Sequence, residues 1–167
     1  RLRRMQKEYD WIIDASGAPS VTARAYQFTA EYYKEYLLAH QIVLAGDFSA
    51  LMPRIKFAFF PDIPADFQPS YYWIFPKNAG QANVGVVCKV CGTVPKGRLN
   101  LKELLSAALH REGLDAAGMI KKGSGFVSTR MLPQLIYGNI ILVGDAAGLA
   151  SALHGGGIDI ACLSGVL

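Results

Sequence analysis

The chain has 167 residues, of which 51% are hydrophobic and 18% are charged, and its formal net charge is +4. This length suits about one folded domain with a sizeable core, and the apolar content excludes a disordered segment. The charge is mild and no basic run is interleaved with aromatic residues, so direct nucleic-acid binding has little support.

The first half of the chain is predicted to contain mainly strands. Residues 9–13 are an apolar run that ends at Asp14 and in small residues up to Gly17, which is typical of a buried strand leaving its sheet through a tight turn. Residues 37–44 fit either a helix or a strand. Further strands are predicted at residues 25–36, 55–60, 71–75 and 82–90. The polar residues 77–80 indicate that the last two strands form a hairpin.

The second half mixes helix and strand. Residues 99–111 carry leucine and alanine at helical spacing and are the clearest amphipathic helix, which is predicted to end before Gly113. Strands are expected at residues 126–132 and 139–143. Two glycine-rich turns and a helical run then lead to the end of the chain.

The last stretch, residues 135–167, is apolar enough to raise a transmembrane interpretation. Asp145, His154, Asp159 and many glycines interrupt it, and no unbroken apolar run reaches the ~20 residues that a span needs. A buried strand, loop and helix is therefore the favoured interpretation.

Two features of this stretch suggest a ligand site. The strand at 139–143 delivers Asp145 at its carboxyl end, where open α/β sheets bind ligands and where a carboxylate accepts hydrogen bonds from sugar-like hydroxyls. The alternative is an Asp that caps the next turn. Three glycines at 155–157 precede a helical segment starting at Ile158, and the free N–H groups of such a turn suit an anionic ligand atom. The alternative for these glycines is a flexible linker.

Several motifs resemble those of the geranylgeranyl reductase family, part of the para-hydroxybenzoate hydroxylase-like group of flavoproteins. Residues 144–148 and 155–158 resemble its second flavin-binding motif. Residues 71–77 reproduce its Y-x-W-x-F-P-K motif, and the Asn-Val-Gly at 83–85 follows at the family's spacing. Residues 10–17 resemble its D-x-x-I-D-A-T-G stretch, with Ser in place of the usual Thr.

The resemblance implies FAD as the cofactor and a mixed α/β (α+β) fold. The chain would be a fragment of an FAD-binding Rossmann-like domain with an inserted antiparallel β-sheet substrate domain. Residues 1–24 and 131–167 would be returning pieces of the FAD-binding domain, and residues 25–130 the substrate domain. The family's G-x-G-x-x-G phosphate loop does not occur in the sequence, so the chain is interpreted as an internal fragment.

Residue roles follow from the same resemblance. The Asp that matches Asp145 binds the ribityl chain of FAD, and the glycine turn lies beside the isoalloxazine ring and the pyrophosphate. The implied cofactor-binding residues are Ala15, Gly17, Gly144, Asp145, Ala146, Gly155, Gly156, Gly157 and Ile158. The implied substrate-binding residues are Tyr71, Trp73, Phe75 and Pro76. Alternating aromatic residues share one face of a strand, and the alternative for them is an aromatic core stripe.

The implied reaction is the reduction of isoprenoid carbon–carbon double bonds, with a hydride from reduced FAD reaching one carbon and a proton reaching the other. The electron donor stays open between NAD(P)H and a ferredoxin-type protein. A prenyl-lipid substrate implies peripheral membrane contact. Two alternatives remain: a flavin-dependent monooxygenase or halogenase, and a chain that is inactive on its own.

Histidine and cysteine give weaker signals. His154, beside the glycine turn, is either a proton donor to the reduced substrate carbon or a loop histidine bonded to the backbone. Cys88 and Cys91 form a C-x-x-C without a second pair, so a structural role is favoured over a redox or zinc role and no metal site is predicted. The odd count of three cysteines indicates a reducing, cytoplasmic compartment.

Overall fold

The computed structural model describes residues 1–92, 99–151 and 155–166. Within these ranges the α-helices are α1 Leu2–Glu8, α2 Val21–Tyr26, α3 Leu101–Arg111 and α4 Ile158–Ser164. The strands are β1 Ile12–Asp14, β2 Glu35–Ala45, β3 Lys56–Phe59, β4 Ser70–Asn78, β5 Gln81–Cys91, β6 Gly118–Ser128, β7 Ile136–Tyr137 and β8 Ile140–Leu142. This mixed composition confirms the predicted fold class. None of the described helices has the length and apolar character needed to cross a membrane.

The chain folds as two compact units. One unit consists of residues 1–37 and 127–167, and the other of residues 38–126. The predicted domain boundaries after residues 24 and 130 stay predictions, because compactness alone does not say which segment binds which ligand.

The first unit contains a three-stranded sheet with the order β1-β8-β7. β1 and β8 run parallel, with Ile13 opposite Ile141, whereas β7 pairs antiparallel with β8. Both parallel strands were predicted from their apolar runs. Because parallel strands end at the same edge of a sheet, the turns after β1 and β8 emerge side by side, which is the usual place for a ligand site in such sheets.

The second unit contains a five-stranded sheet with the order β3-β4-β5-β2-β6. β4 pairs antiparallel with β3 and β5, and the pair Asn78 and Gln81 closes the predicted hairpin. α3 packs on one face of this sheet, and its N-terminus is capped by the Asn100 side chain, which accepts the N–H groups of Lys102 and Glu103. The core between helix and sheet consists of Ile42, Leu44, Phe48, Tyr72, Ile74, Ala82, Val84, Val86, Leu105 and Ala108.

One predicted strand was wrong, and another was predicted with the wrong bounds. Residues 25–36 mostly form the end of α2 and a 3₁₀ turn, Thr29–Tyr33. The aromatic residues of this segment pack the turn instead of a strand: Tyr32 is fully buried, and its hydroxyl donates to the Ala146 carbonyl. The strand predicted at 126–132 is β6, which starts at Gly118. Its glycines and lysines hide its strand character, and as an edge strand it needs little apolar surface. The ambiguous residues 37–44 belong to β2.

Candidate functional site

A cleft of about 450 Å³ lies at the carboxyl ends of β1 and β8. Its walls come from the turn after β1, the turn after β8 and the segment that opens α4. The lining residues are Ala15, Gly17, Val143, Gly144, Asp145, Gly155, Gly157, Ile158 and Ala161. The residues predicted to bind the cofactor therefore surround one cavity, apart from Ala146 and Gly156.

Ala146 and Gly156 lie beside the cleft lining. Ala146 is fully buried in the 3₁₀ turn after β8, Gly144–Ala147. The Gly156 carbonyl accepts the N–H of Ser151 at 2.8 Å. Both residues thus stabilise the turns that carry the lining, and their contact with a cofactor stays a prediction. His154, the candidate proton donor, lies outside the described residues.

Two glycines keep the cleft lining free of side chains, one beside the Asp145 carboxylate and one beside Ala161. A Cβ on Gly157 would lie 3.0 Å from Asp145 Oδ1. Gly144 has a φ of +53°, which residues with side chains rarely adopt, and a Cβ there would lie 3.2 Å from the Cβ of Ala161. Any side chain at these positions would crowd the cleft, so glycine here allows the close approach of a ligand to the backbone.

Asp145 is exposed at the cleft on a backbone that its neighbours fix. The Gly144 N–H donates to Ser164 Oγ at 3.1 Å, and the Ser164 hydroxyl donates to the Ala161 carbonyl at 2.9 Å, which ties the turn after β8 to α4. Asp145 lies inside the 3₁₀ turn Gly144–Ala147, whose N-cap residue is Val143, so Asp145 is not the capping residue of this turn. Its carboxylate oxygens can therefore accept hydrogen bonds from the hydroxyls of a ligand.

A second carboxylate, Asp14, stabilises the turn after β1. It is 8% exposed and accepts the N–H and hydroxyl of Ser16 at 3.0 and 2.6 Å, and those of Thr22 at 2.9 and 2.5 Å. Burial raises the pKa of Asp14, but these hydrogen bonds outweigh burial and hold the pKa below its usual value. The sequence motif at 10–17 contains Asp14, yet nothing in its spacing indicates that Thr22 completes the cluster.

The residues predicted to bind substrate lie on β4 in the second unit. The rings of Tyr71, Trp73 and Phe75 follow one another along one face, with centroids 6.3 and 5.9 Å apart, while the residues between them point into the core under α3. Phe57 and Phe59 on β3 extend this surface, with Phe57 5.1 Å from Phe75 and Phe59 6.0 Å from Tyr71. These five residues are called the aromatic face below.

Phe57 and Phe59 were not predicted as site residues. They are 48% and 60% exposed, and contiguous apolar exposure of this kind marks binding surfaces. The Phe-x-Phe alternation at 57–59 indicates that both rings share one face of a strand, although it cannot show that this strand lies at the edge of the sheet. Tyr71 is 5% exposed, so the core-stripe alternative describes this residue, whereas Trp73, Phe75 and Pro76 are half-buried.

The C-x-x-C pair does not form a dithiol site. All three cysteines are free, with Cys88 buried and Cys91 exposed. Because both lie on β5 three residues apart, their side chains point to opposite faces of the strand. Burial raises the pKa of the Cys88 thiol, and the hydrogen bond with Ser70 offsets this only in part. The raised pKa lowers the reactivity of the thiol. In residues 1–92, 99–151 and 155–166, no group of three or more His, Cys, Asp or Glu side chains could hold a metal ion.

The fold is shared with flavin-dependent enzymes. The crystal structure of a geranylgeranyl bacteriochlorophyll reductase-like protein from Thermoplasma acidophilum matches 93% of this chain and 38% of its own, with a TM-score of 0.72 and 26% identity. A flavin-dependent brominase matches 94% of this chain and 41% of its own, with a TM-score of 0.65. At 15% identity, the brominase shows a common fold and nothing more.

The relatives in sequence are named as reductases of geranylgeranyl compounds. A digeranylgeranylglycerophospholipid reductase of Thermoplasma volcanium is 36% identical over 98 residues, 58% of this chain and 24% of the relative. A geranylgeranyl diphosphate reductase of Synechocystis sp. is 29% identical over 158 residues, 93% of this chain and 36% of the relative. No family model matches the chain. The resemblance predicted from the sequence is thus confirmed: the chain is related to the geranylgeranyl reductases, and it spans 24% and 36% of the length of these two.

Proposed function

We propose that this chain binds FAD in the cleft of its first unit and serves in an oxidoreductase that reduces carbon–carbon double bonds of isoprenoid lipids. The observation that carries the proposal is the cleft itself, in which an exposed Asp145 and backbone cleared of side chains meet at the ends of two parallel strands. The two relatives named above are reductases of geranylgeranyl compounds, which supports the substrate class.

The chemistry of the cleft fits part of an FAD molecule. Asp145 offers acceptors for the ribityl hydroxyls, and the glycines at 155–157 would place backbone without side chains beside the ring and pyrophosphate. The Gly155 N–H itself donates to the Ser151 carbonyl at 2.8 Å. The backbone at Ala15 and Gly17 would lie near the adenosine half of FAD. FAD, when bound, supplies the hydride for the reduction. His154 as proton donor stays part of this proposal.

The aromatic face suits the hydrocarbon chain of the substrate. An isoprenoid chain has no hydrogen-bonding groups along its length, so its affinity comes from apolar contact. Burial of each CH₂ group contributes about 0.8 kcal/mol, and the exposed rings of Phe57 and Phe59 offer such contact. We also propose that a lipid substrate is met at the membrane surface, with NAD(P)H or a ferredoxin-type protein as the electron donor.

A matched pair of variants tests the cleft in the complete gene product that contains this chain. Asp145→Ala removes the acceptor for the ribityl chain and should weaken FAD binding about tenfold or more, as expected for loss of hydrogen bonds to a charged group. Asp159→Ala removes the same charge from the exposed first turn of α4, outside the cleft lining, and should retain FAD.

The readout is the ratio of flavin to protein absorbance after purification, followed by FAD titration. Equal FAD affinity in the Asp145→Ala variant and the unmodified protein would rule out the role given to Asp145. The monooxygenase and halogenase alternatives have only the common fold in their favour, because the brominase shares 15% identity with this chain.

A further inference from the structure

The indole of Trp73 is held by polar contacts across three strands. Its Nε1–H donates to Asn83 Oδ1 at 2.6 Å, and Asn83 Nδ2 donates to Gln41 Oε1 at 3.1 Å. An indole nitrogen is only a donor, so its bond fixes the Asn83 amide with the oxygen toward the ring. The remaining amide N–H then faces Gln41, and the contacts connect β4 through β5 to β2.

Gly85 provides the space under the ring. Trp73 and Gly85 are directly opposite in the antiparallel pair of β4 and β5. A Cβ on Gly85 would lie 2.2 Å from Cζ2 of Trp73 and 2.6 Å from Cε2 and Cη2. Side chains do not approach a ring this closely, so any residue other than glycine would push the whole indole away from the sheet. The ring therefore rests against the backbone of β5.

The indole of Trp73 lies beside the ring of Phe75 on the aromatic face. The planes of Trp73 and Phe75 are inclined by 30° with centroids 5.9 Å apart, which makes a nearly continuous apolar surface. A ring that is fixed before a ligand arrives loses little entropy on binding, and this pre-organisation favours affinity. The hydrocarbon chain of the substrate has no polar groups along its length, so only the shape of such a surface can fix the position of the chain.

We propose that Asn83 and Gly85 are positioning residues for the substrate: they hold Trp73 flat as a rigid platform for the unsaturated chain, and Gly85 sets how much space remains above the aromatic face. The proposal rests on the proposed function, because only a substrate lying on this face would respond to the platform. A methyl group at position 85 would lift the indole into that space, and loss of the Asn83 acceptor would let the ring turn.

The first experiment follows the ring itself by fluorescence in the 167-residue chain. The chain has two tryptophans, and Trp11 is 63% exposed, so a Trp11→Phe background leaves Trp73 as the only one. In this background, Gly85→Ala and Asn83→Leu should each shift Trp73 emission and increase its quenching by acrylamide. Asn83→Asp keeps an acceptor for the indole N–H and should restore the unmodified spectrum.

Gly125→Ala is the matched control. It adds the same methyl group to a glycine of the same sheet, but no atom lies within 4 Å of the new Cβ, so the Trp73 signal should not change. Circular dichroism shows which variants are folded. If Gly85→Ala does not fold, Asn83→Leu decides the outcome. Folded variants with an unchanged Trp73 signal would overturn the proposal.

The second experiment measures binding of geranylgeraniol, dispersed in detergent, by the same variants made in the complete gene product. Gly85→Ala and Asn83→Leu should raise the dissociation constant about three- to tenfold, the size of one lost aromatic contact, whereas Asn83→Asp and Gly125→Ala should not. A moved indole with unchanged affinity would overturn the positioning role while the proposed function stands. No binding even by the unmodified protein would instead remove the proposed function, and the positioning role with it.

Discussion

Asp14 ends β1 and Asp145 follows the neighbouring parallel strand β8 at the same edge of one sheet, yet their carboxylates have different surroundings. Asp14 is buried and accepts the N–H and hydroxyl groups of Ser16 and Thr22. Asp145 is exposed and lines the cleft. The first carboxylate therefore stabilises the turn, and the second is available to a ligand.

Asp14→Asn should destabilise the protein at neutral pH by about 1–3 kcal/mol, because an amide cannot accept all the hydrogen bonds that the carboxylate accepts. The folded-state pKa of Asp14 lies below its usual value of 3.8, so its stabilisation is fully present above that value. The stabilisation is lost as the pH falls through the folded-state pKa. Urea unfolding of both proteins at neutral pH and in acid checks this; equal stabilities at neutral pH would contradict it.

At the scale of elements, α3 is joined to the sheet at its C-terminal end by one carboxylate. Glu112 accepts a hydrogen bond from Lys56 Nζ on β3 at 2.6 Å and from the Tyr72 hydroxyl on β4 at 2.5 Å. Burial raises the pKa of Glu112, but these two donors outweigh burial and keep the pKa below its usual value. Burial, together with the bond to Glu112, raises the pKa of Tyr72 to about 12.

Glu112→Ala should destabilise the protein by about 1–3 kcal/mol, since it leaves the Tyr72 hydroxyl without its acceptor, and Tyr72→Phe should cost about 1 kcal/mol. The control is Asp115→Ala, which breaks only a solvent-exposed pair with His110 and should change little. Thermal unfolding of the three variants ranks them. A Glu112→Ala effect no larger than that of Asp115→Ala would show that the cluster does not hold the helix.

The elements that the sequence predicted well are those whose signals are local. The hairpin of β4 and β5 has alternating apolar residues around a polar turn, and α3 has helical spacing with Asn100 at its start. The elements whose type or bounds were predicted wrongly depend on distant partners. β6 is a strand because it pairs at the sheet edge, and the 29–33 turn is fixed by Tyr32 bonding to a carbonyl 114 residues away.

The same distinction applies to the two candidate surfaces. The cleft residues stand in short glycine-rich motifs, so the sequence indicated nearly all of the lining. The support for Trp73 was not predictable in this way. This support requires the strand register that places Gly85 opposite Trp73, with Asn83 two residues before Gly85 on β5. Such a register is known only once the strands are paired.

For the whole molecule, the two compact units each carry one of the surfaces that the proposed reaction needs. The first unit has the cleft with Asp145, and the second has the aromatic face on a sheet whose opposite side is filled by the α3 core. The two sequence relatives are named as reductases of geranylgeranyl compounds, and the similar solved structure is of a geranylgeranyl bacteriochlorophyll reductase-like protein. The central claim is therefore that electrons pass from a bound flavin to an isoprenoid double bond.

The most direct test is the visible absorption spectrum of the complete gene product, recorded without oxygen before and after a reductant and then a geranylgeranyl lipid are added. We expect a flavin band that bleaches on reduction and returns when the lipid is added, because the double bond takes up the electrons. A band that returns only when oxygen is admitted would contradict the reductase claim and favour a monooxygenase or halogenase. The absence of any flavin band would contradict the flavoprotein claim itself.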